Sequence, residues 1–236
     1  MSELQAVKSF LDTRAYEEKK CGCLNLEKGR YPFVTLSREA GAGGRSLAEA
    51  LLQQMEEMDN ELLKGWKIFD RELCQKVVEE PGLNVCLQKV FRHEYHSQIE
   101  DMIEEIVMGF TAQDVVARKI FQCIRSLATV GKVILVGRAG SFLTRDLPLG
   151  VHVRLVAPRE KRMEAIGKNF SLNAKKAAEF LKEQDKSRAA LVKRFFNQKI
   201  ENPQYYDMII NTARISRAEV AELIIHLALK RYSLEK

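Results

Sequence analysis

A glycine-rich turn between a short strand and an amphipathic helix constrains this chain more than any other part of its sequence. Residues 31–36 are rich in aromatic and β-branched side chains, which predicts a β-strand. Three glycines, Gly41, Gly43 and Gly44, come shortly after it. Apolar residues then recur over 47–55 at the spacing of one helix face, so the sequence predicts a strand, a tight turn and a helix in succession.

This succession aims backbone N–H groups at an anion. A helix N-terminus has N–H groups without intrahelical partners and a partial positive charge, and glycines let the chain curl closely around a phosphate. Segment 39–46 can be laid over the phosphate-loop pattern G-x-x-x-x-G-K-[ST], with Glu39 in place of the first glycine and Arg45 in place of the lysine. Gly44 and Ser46 match the pattern. Glycine clusters also serve tight turns alone, so the loop by itself leaves both interpretations open.

The size and composition of the chain fit one sizeable domain. Its 236 residues, of which 46% are hydrophobic, are enough for a substantial core. No apolar run approaches the roughly 20 residues that span a bilayer, and the N-terminus has no signal-peptide pattern. The five cysteines are sparse and odd in number, which indicates reduced thiols. We therefore expect a cytoplasmic protein without membrane association.

The net charge of +6 favours an anionic ligand, either a nucleotide or a nucleic acid. The basic residues are dispersed among acidic ones and form no Lys/Arg tract and no aromatic–basic face. Small anionic ligands therefore fit better than a nucleic-acid partner, which is not expected.

Five strand-like segments alternate with helical segments, and this alternation predicts an α/β doubly wound fold with a parallel five-stranded sheet flanked by helices. The later strands are predicted at 66–69, 133–136, 151–156 and 206–210. Ligands bind such sheets at the carboxyl ends of the strands. The polar residues that follow those ends are Ser37, Arg38, Glu39, Asp70, Arg71, Arg138, Arg159, Arg162 and Asn211. Their expected convergence beside the glycine turn favours phosphate binding over a purely structural turn.

Several segments together carry a family resemblance. They are Val34-Thr-Leu-Ser-Arg-Glu-Ala-Gly-Ala-Gly-Gly-Arg45, Ile68-Phe-Asp-Arg-Glu-Leu73, Val133-Ile-Leu-Val-Gly-Arg138, 151–158 with Arg162, Asp185-x-x-Arg188, and Tyr206-Asp207 through Asn211-Thr212. In this order, and over residues 32–230, they resemble the cytidylate kinase-like family, a branch of the P-loop nucleoside monophosphate kinases. The resemblance implies a P-loop kinase-type fold.

The resemblance also implies an activity, the transfer of the γ-phosphoryl group of ATP, with Mg²⁺, to a pyrimidine monophosphate such as CMP or dCMP. Such a transfer depends mainly on positioning and on neutralising charge on the phosphate oxygens. By motif match, Ser46 is the expected Mg²⁺ ligand. The expected ATP-binding residues are Ser37, Arg38, Glu39, Ala40, Gly41, Ala42, Gly43, Gly44, Arg45 and Ser46.

The same motif match assigns the remaining site residues. The expected catalytic residues are Arg45, Arg138, Arg162 and Arg188. The expected acceptor-binding residues are Asp70, Arg71, Arg138, Arg159 and Asp185. Arginine suits these roles because its planar guanidinium group pairs with phosphate oxygens and stays charged. Asp70 has a second interpretation as the N-cap of the helix that follows it.

The predicted elements divide the chain into parts. Residues 1–30 are expected to form an N-terminal helix and a linker, and residues 31–236 the P-loop domain. Within that domain, 83–130 is the expected helical acceptor-binding insert and 157–196 the expected lid. The N-terminal helix is amphipathic, and a homodimer could form through it.

Two further hypotheses compete with the kinase. One is a catalytically weak or inactive regulatory module that binds a nucleotide or phosphate on a kinase fold; Glu39, and Val136 where an aspartate is expected, favour it. The arginine set and Asp70 favour the kinase. The other is nucleic-acid binding, for which only the basic composition argues.

Overall fold

The structure is a computed structural model that describes residues 2–21, 30–89, 93–109 and 111–234. Within these ranges the strands are β1 (Phe33–Arg38), β2 (Lys67–Phe69), β3 (Val133–Val136), β4 (Gly150–Val156) and β5 (Met208–Asn211). They form one five-stranded parallel sheet in the order β2-β3-β1-β4-β5. The predicted doubly wound parallel sheet is confirmed, with small shifts at the strand limits.

Helices cover both faces of this sheet. Those in the described ranges are α1 (Glu3–Cys21), α2 (Gly44–Glu57), α3 (Arg71–Glu79), α4 (Pro81–Lys89), α5 (His93–Ile106), α6 (Ala112–Val130), α7 (Gly140–Leu143), α8 (Arg159–Phe170), α9 (Ala174–Phe196) and α10 (Arg217–Leu234). None of these helices combines the length and the apolar character needed to cross a bilayer.

Local signals in the sequence set several helix starts. Asp70 accepts a hydrogen bond from the Leu73 N–H at 3.0 Å and caps α3, as the sequence predicts. Thr111 and Asp114 form a reciprocal capping box at the start of α6. This box starts a new helix after α5.

Alternate residues of the central strands enter two different cores. Phe33, Val133 and Leu135 face the cluster that α1, α3, α4, α5 and α6 complete. Val34 and Ile134 face the cluster formed with α2 and α10. Every residue of β3 is buried, as its uninterrupted apolar run predicts for a strand covered on both faces.

Helix α1 packs its apolar face into the first of these clusters, where Val7, Phe10 and Leu11 are buried. The face through which the sequence allowed a dimer is therefore occupied by the chain's own core. The linker predicted after this helix includes residues 22–29, which lie outside the described residues.

The topology determines where a ligand can approach. Strand β1 lies in the middle of the sheet, between β3 and β4. The chain moves to one side of β1 for β2 and β3, and to the other side for β4 and β5. The turn after β1 therefore opens at the position where the order of strands changes direction, which is where doubly wound sheets bind ligands.

Candidate functional site

The turn between β1 and α2 has the backbone of an anion-binding loop. Gly41 and Gly43 have φ values of 78° and 81°. A Cβ atom on Gly41 would lie 2.6 Å from the carbonyl oxygen of Arg162, so both backbone conformation and space require glycine there. Gly43, the N-cap of α2, makes no side-chain capping bond, and the first turn holds no acidic residue. The N–H groups of this turn therefore point their partial positive charge at the space before the helix.

Glu39 lines the loop cavity, and its charge is paired with the neighbouring segment. One carboxylate oxygen of Glu39 accepts a hydrogen bond from the Ala157 N–H at 3.1 Å, and the same oxygen lies 3.4 Å from Nε of Arg162. The negative charge that the sequence places in the loop is therefore neutralised by the neighbouring segment.

Arg162 and Asp185 fasten two helices, α8 and α9, to the loop. Arg162 donates to Asp185 Oδ2 at 2.6 Å and to the Ala40 carbonyl oxygen at 3.3 Å. The other oxygen of Asp185 accepts a hydrogen bond from the Ala40 N–H at 2.7 Å. The side chain of Arg162 is only 12% exposed. These two predicted site residues thus bind each other and the loop backbone.

Arg45, which stands at the lysine position of the phosphate-loop pattern, lies at the mouth of the site. It donates to Asp70 Oδ2 at 3.2 Å and to Glu49 at 3.1 Å, and its side chain is 71% exposed. The structure therefore brings Arg45, at the start of α2, together with Asp70, which follows β2.

Arg38 lies in the middle of the site and is tightly enclosed. The aliphatic part of the Arg38 side chain packs against Gly44, where an added Cβ atom would lie 3.0 Å from Cγ of Arg38. The guanidinium group of Arg38 occupies the space that a Cβ atom on Gly137 would need. Burial, and then repulsion from Arg188, lower the pKa of Arg38 to about 10. An anion bound here would relieve that excess of positive charge.

Arg138 follows β3 on a turn with unusual backbone geometry. Gly137, Arg138 and Ala139 have φ values of 86°, 55° and 55°. Left-handed backbone at consecutive non-glycine residues is costly and occurs preferentially at functional sites. The Nε atom of Arg138 is buried and has no hydrogen-bond partner among the described residues. Burial, and then repulsion from Arg71, lower the pKa of Arg138.

Arg188 reaches this group of arginines from α9. It donates to the Arg38 carbonyl oxygen at 3.3 Å and lies 3.6 Å from Asp185. Burial lowers its pKa, and only the attraction of Asp185 opposes this effect. Arg38 and Arg138 thus lie together at the strand ends, as the sequence predicts, and Arg188 joins them from α9.

Two hollows meet at this group. The first, here called the loop cavity, is lined by residues 38–47 together with parts of α8, α9 and the segment after β5, and has a volume of about 670 Å³. The second, here called the strand-end pocket, is lined by the ends of β1 and β3, by α7 and by α9, and has a volume of about 140 Å³. Arg38 and Arg188 line both hollows.

The other predicted site residues divide between these hollows. Ser46 lines the loop cavity, while Ser37 and Arg71 line the strand-end pocket. Arg159 is exposed and lines neither hollow. Of the described residues that line the strand-end pocket, none comes from 83–130. An acceptor-binding role for that segment stays a prediction.

Some residues at the site were not predicted. Arg154 is buried on β4, donates to the Ser37 hydroxyl at 3.1 Å and lies over the Tyr206 ring. A charged residue inside the apolar run 151–156 was the signal available for it. Ser141 of α7 lines the strand-end pocket, and its hydroxyl has no partner in the described part of the chain. Nothing in its local sequence marks it.

The residues present could hold Mg²⁺ only together with phosphates. No group of three or more His, Cys, Asp or Glu side chains suited to a metal ion occurs within the described ranges. Mg²⁺ in nucleotide sites keeps several waters and binds substrate phosphates with few protein oxygens. The Ser46 hydroxyl in the loop cavity fits that pattern as a single protein ligand to MgATP.

A parallel sheet of this order, with a glycine loop after its central strand, defines an α/β protein of the P-loop kinase type. A sequence model of the cytidylate kinase-like family matches residues 33–214. The chain belongs to the cytidylate kinase-like family, which confirms the resemblance found in its motifs.

Other comparisons are more distant. A solved structure of an uncharacterized protein from Eubacterium ventriosum shares 18% identity, has a TM-score of 0.65, and is matched over 85% of this chain and 99% of that one; this likeness shows the fold. The shikimate kinase from Bacteroides thetaiotaomicron shares 13% identity over 87% of this chain and 99% of its own, with a TM-score of 0.43. A uronate isomerase from Corynebacterium glutamicum is 24% identical over 126 residues, which are 53% of this chain. That match spans only 24% of the isomerase's length.

Proposed function

We propose that this protein is a phosphotransferase that moves the γ-phosphoryl group of MgATP from the loop cavity to an acceptor in the strand-end pocket. The observation that carries the proposal is the shared wall of the two hollows, which Arg38 and Arg188 form. A transferred phosphoryl group must lie between its donor and its acceptor, and it needs cations at that position.

The loop cavity has the properties that a nucleotide triphosphate requires. Its volume of about 670 Å³ lies within the range of roughly 300–1,000 Å³ that is usual for ligand sites. The N–H groups at the start of α2 would hold the β- and γ-phosphates, Arg45 would neutralise them at the mouth, and Ser46 would ligate the Mg²⁺ that ATP carries.

The strand-end pocket supplies the acceptor side. Arg138 and Arg71 would hold an anionic group of the acceptor, and Arg188 from α9 would stabilise charge on the phosphoryl group in transit. Arg162 and Asp185 would act by fixing the lid helices against the loop. The acceptor that the family resemblance implies is CMP or dCMP, and the lid role of 157–196 belongs to the same proposal.

A coupled assay of ADP release with ATP, Mg²⁺ and each common nucleoside monophosphate tests the proposal. Arg138→Ala should abolish the acceptor-dependent rate. Arg214→Ala is the matched control, because Arg214 follows strand β5, is exposed and lines neither hollow; it should leave the rate unchanged. Equal loss in both variants, or ADP release that neither a nucleoside monophosphate nor a small hydroxy acid stimulates, would contradict the proposal.

A second candidate, a nucleotide-binding regulatory module, rests on a separate observation. Arg45 is paired with Glu49 and Asp70, and Val136 supplies no carboxylate at the end of β3. ATP binding in calorimetry, combined with no ADP release on any acceptor, would favour this candidate over the kinase.

A further inference from the structure

The strand-end pocket is small for a nucleotide. Its volume of about 140 Å³ is close to the roughly 150 Å³ of a cavity that holds one benzene molecule. Pockets for drug-sized ligands begin at roughly 300 Å³. A nucleoside monophosphate, with base, ribose and phosphate, belongs to that larger class. The strand-end pocket has room for one ring with small substituents.

Contacts with other parts of the chain hold two walls of the pocket in this arrangement. Helix α9 forms one wall and is tied to the loop by Asp185 through the Ala40 N–H at 2.7 Å. Phe142 of the opposite wall packs against Phe196 of α9 with ring centroids 5.5 Å apart. Phe142 also stacks on Tyr205 at 4.2 Å. Widening the pocket would break several of these contacts at once.

The lining carries an excess of positive charge. Four arginines line the pocket, Arg38, Arg71, Arg138 and Arg188, and of the lining residues that the structure describes none is acidic. The buried Nε of Arg138 has no hydrogen-bond partner among them. Guanidinium groups pair in parallel with carboxylate or phosphate oxygens. The ligand of this pocket therefore carries an anionic group on the arginine side.

Ser141 adds a specific polar contact. It is only 2% exposed, and its Oγ atom has no hydrogen-bond partner in the described residues. A buried hydroxyl without a partner is uncommon and requires an explanation. Because Ser141 lines the pocket, a hydroxyl group of a bound ligand is the partner that explains it.

The rest of the lining is apolar. The apolar residues that line the pocket are Phe142, Leu191, Val192 and Ile200. Phe142, Val192 and Ile200 are buried in one hydrophobic cluster, and Leu191 packs against it. A compact carbon ring fits this wall, because burying apolar surface there costs no hydrogen bonds.

We propose that the acceptor is a compact single-ring hydroxy acid, with its acidic group on the arginines and a hydroxyl group on Ser141, rather than a complete nucleoside monophosphate. This inference rests on the proposed phosphotransferase function. In the reaction, the acceptor's hydroxyl oxygen bonds to the γ-phosphorus of ATP and the bond from that phosphorus to the bridging oxygen breaks. ADP leaves with the electron pair, and the hydroxyl proton passes to water.

Calorimetric titration of the full chain tests the proposal. The probes are 3-hydroxybenzoate, 3-hydroxycyclohexanecarboxylate, inorganic phosphate and CMP, each with the wild type, Ser141→Ala and Ser187→Ala. Ser187 lines the same pocket but is exposed, so it is the matched control. We expect at least one ring acid to bind at least tenfold more tightly than CMP, and Ser141→Ala, unlike the control, to weaken it about tenfold.

Several results would overturn this inference. They are tighter binding of CMP than of both ring acids, no binding of either ring acid, equal affinity for inorganic phosphate, and equal effects of the two serine variants. ADP release separates this inference from the proposed function. If CMP drives ADP release, the phosphotransferase stands and the ring acid fails. If a ring acid binds as expected but neither ring acid drives ADP release from MgATP, the pocket assignment stands and the phosphotransferase fails.

Discussion

Arg162 and Arg138 both follow strand ends at the same edge of the sheet, yet their surroundings differ. Arg162 contacts two carboxylates, Glu39 and Asp185, and two backbone carbonyl oxygens. Arg138 lies on a turn with left-handed backbone, and its Nε has no partner among the described residues. The first arginine is satisfied by the protein itself, whereas the second is left with capacity for a ligand.

The same contrast extends to the regions around these residues. On the loop side, Glu39 and Asp185 compensate the positive charge. On the strand-end side, burial and then repulsion from neighbouring arginines lower the pKa of Arg38 and of Arg138, and no acidic residue lines the pocket in the described ranges. Burying cations without partners is costly unless a bound anion compensates them. We infer that the loop side uses its charges for structure and the strand-end side uses them for the ligand.

The largest expected effect comes from Arg188, which lies between the two regions. Arg188→Ala should lower the acceptor-dependent kcat/KM for ADP release by about 1,000-fold, the lower end of the effect of a transition-state arginine. Arg188→Lys keeps the charge but loses the planar group, and should recover only part of the rate. Steady-state kinetics beside the control Arg214→Ala checks this. A decrease of less than tenfold would contradict the inference that the arginines on the strand-end side act on the ligand.

A buried titratable residue near the strand-end pocket gives the next largest effect. His152 contacts Thr35 at 2.8 Å, and burial lowers the pKa of His152 to about 4. The unfolded chain takes up a proton at this residue below about pH 6.5, but the folded chain does so only near pH 4. Neutral His152 therefore makes its full contribution to the free energy of unfolding above pH 6.5. This contribution is lost as the pH falls, and at pH 4 the free energy of unfolding should be lower by about 3 kcal/mol.

Urea unfolding of the wild type and of His152→Gln between pH 4 and 7 checks this prediction. The difference between the two proteins isolates His152 from carboxylates that titrate in the same range. If the free energy of unfolding depended on pH in the same way in both proteins, burial near this pocket would not disfavour a charged side chain. The argument that burial lowers the pKa of Arg38 would then be weakened as well.

Removal of the paired arginine should affect stability. Arg162→Met leaves Glu39 and Asp185 without their partner, and the free energy of unfolding should fall by about 2 kcal/mol. This value is below the range for fully buried pairs because the two carboxylates are about a quarter to a third exposed. Urea unfolding measures it. Arg138→Met should cost less or even stabilise the protein, and the reverse order would contradict the comparison.

The smallest effect concerns Glu39. Glu39→Gln loses the charge facing Arg162 but keeps an oxygen for the Ala157 N–H, so stability should fall by less than about 1 kcal/mol. Because the carboxylate is already paired with the Ala157 N–H and with Arg162, the affinity for MgATP in calorimetry should change less than about twofold. Marked tightening would show that Glu39 repels the phosphates and is not part of the scaffold.

The sequence predicted the features that depend on neighbouring residues. The apolar run of β3, the glycine turn and the Asp70 cap are local patterns, and the structure has each of them. The convergence of the strand ends followed from the rule for parallel sheets, which brought Arg38 and Arg138 to the correct edge.

The contacts that distinguish one arginine from another were not accessible from sequence. Arg162 meets Glu39 across more than 120 positions, and Arg188 meets the Arg38 carbonyl across 150. Such pairings depend on how α8 and α9 pack against the loop. Ser141 shows the same limit, because only the packing of α7 leaves its hydroxyl without a partner.

The central claim is that a phosphoryl group crosses the wall formed by Arg38 and Arg188. Its most direct test uses ATP labelled at the γ-phosphorus and follows the label in a single turnover with Mg²⁺ and each candidate acceptor. We expect the label to appear on an acceptor, in an amount that matches the ADP formed. Label that stays on ATP with every acceptor, or appears only as inorganic phosphate at a rate that no acceptor changes, would contradict it.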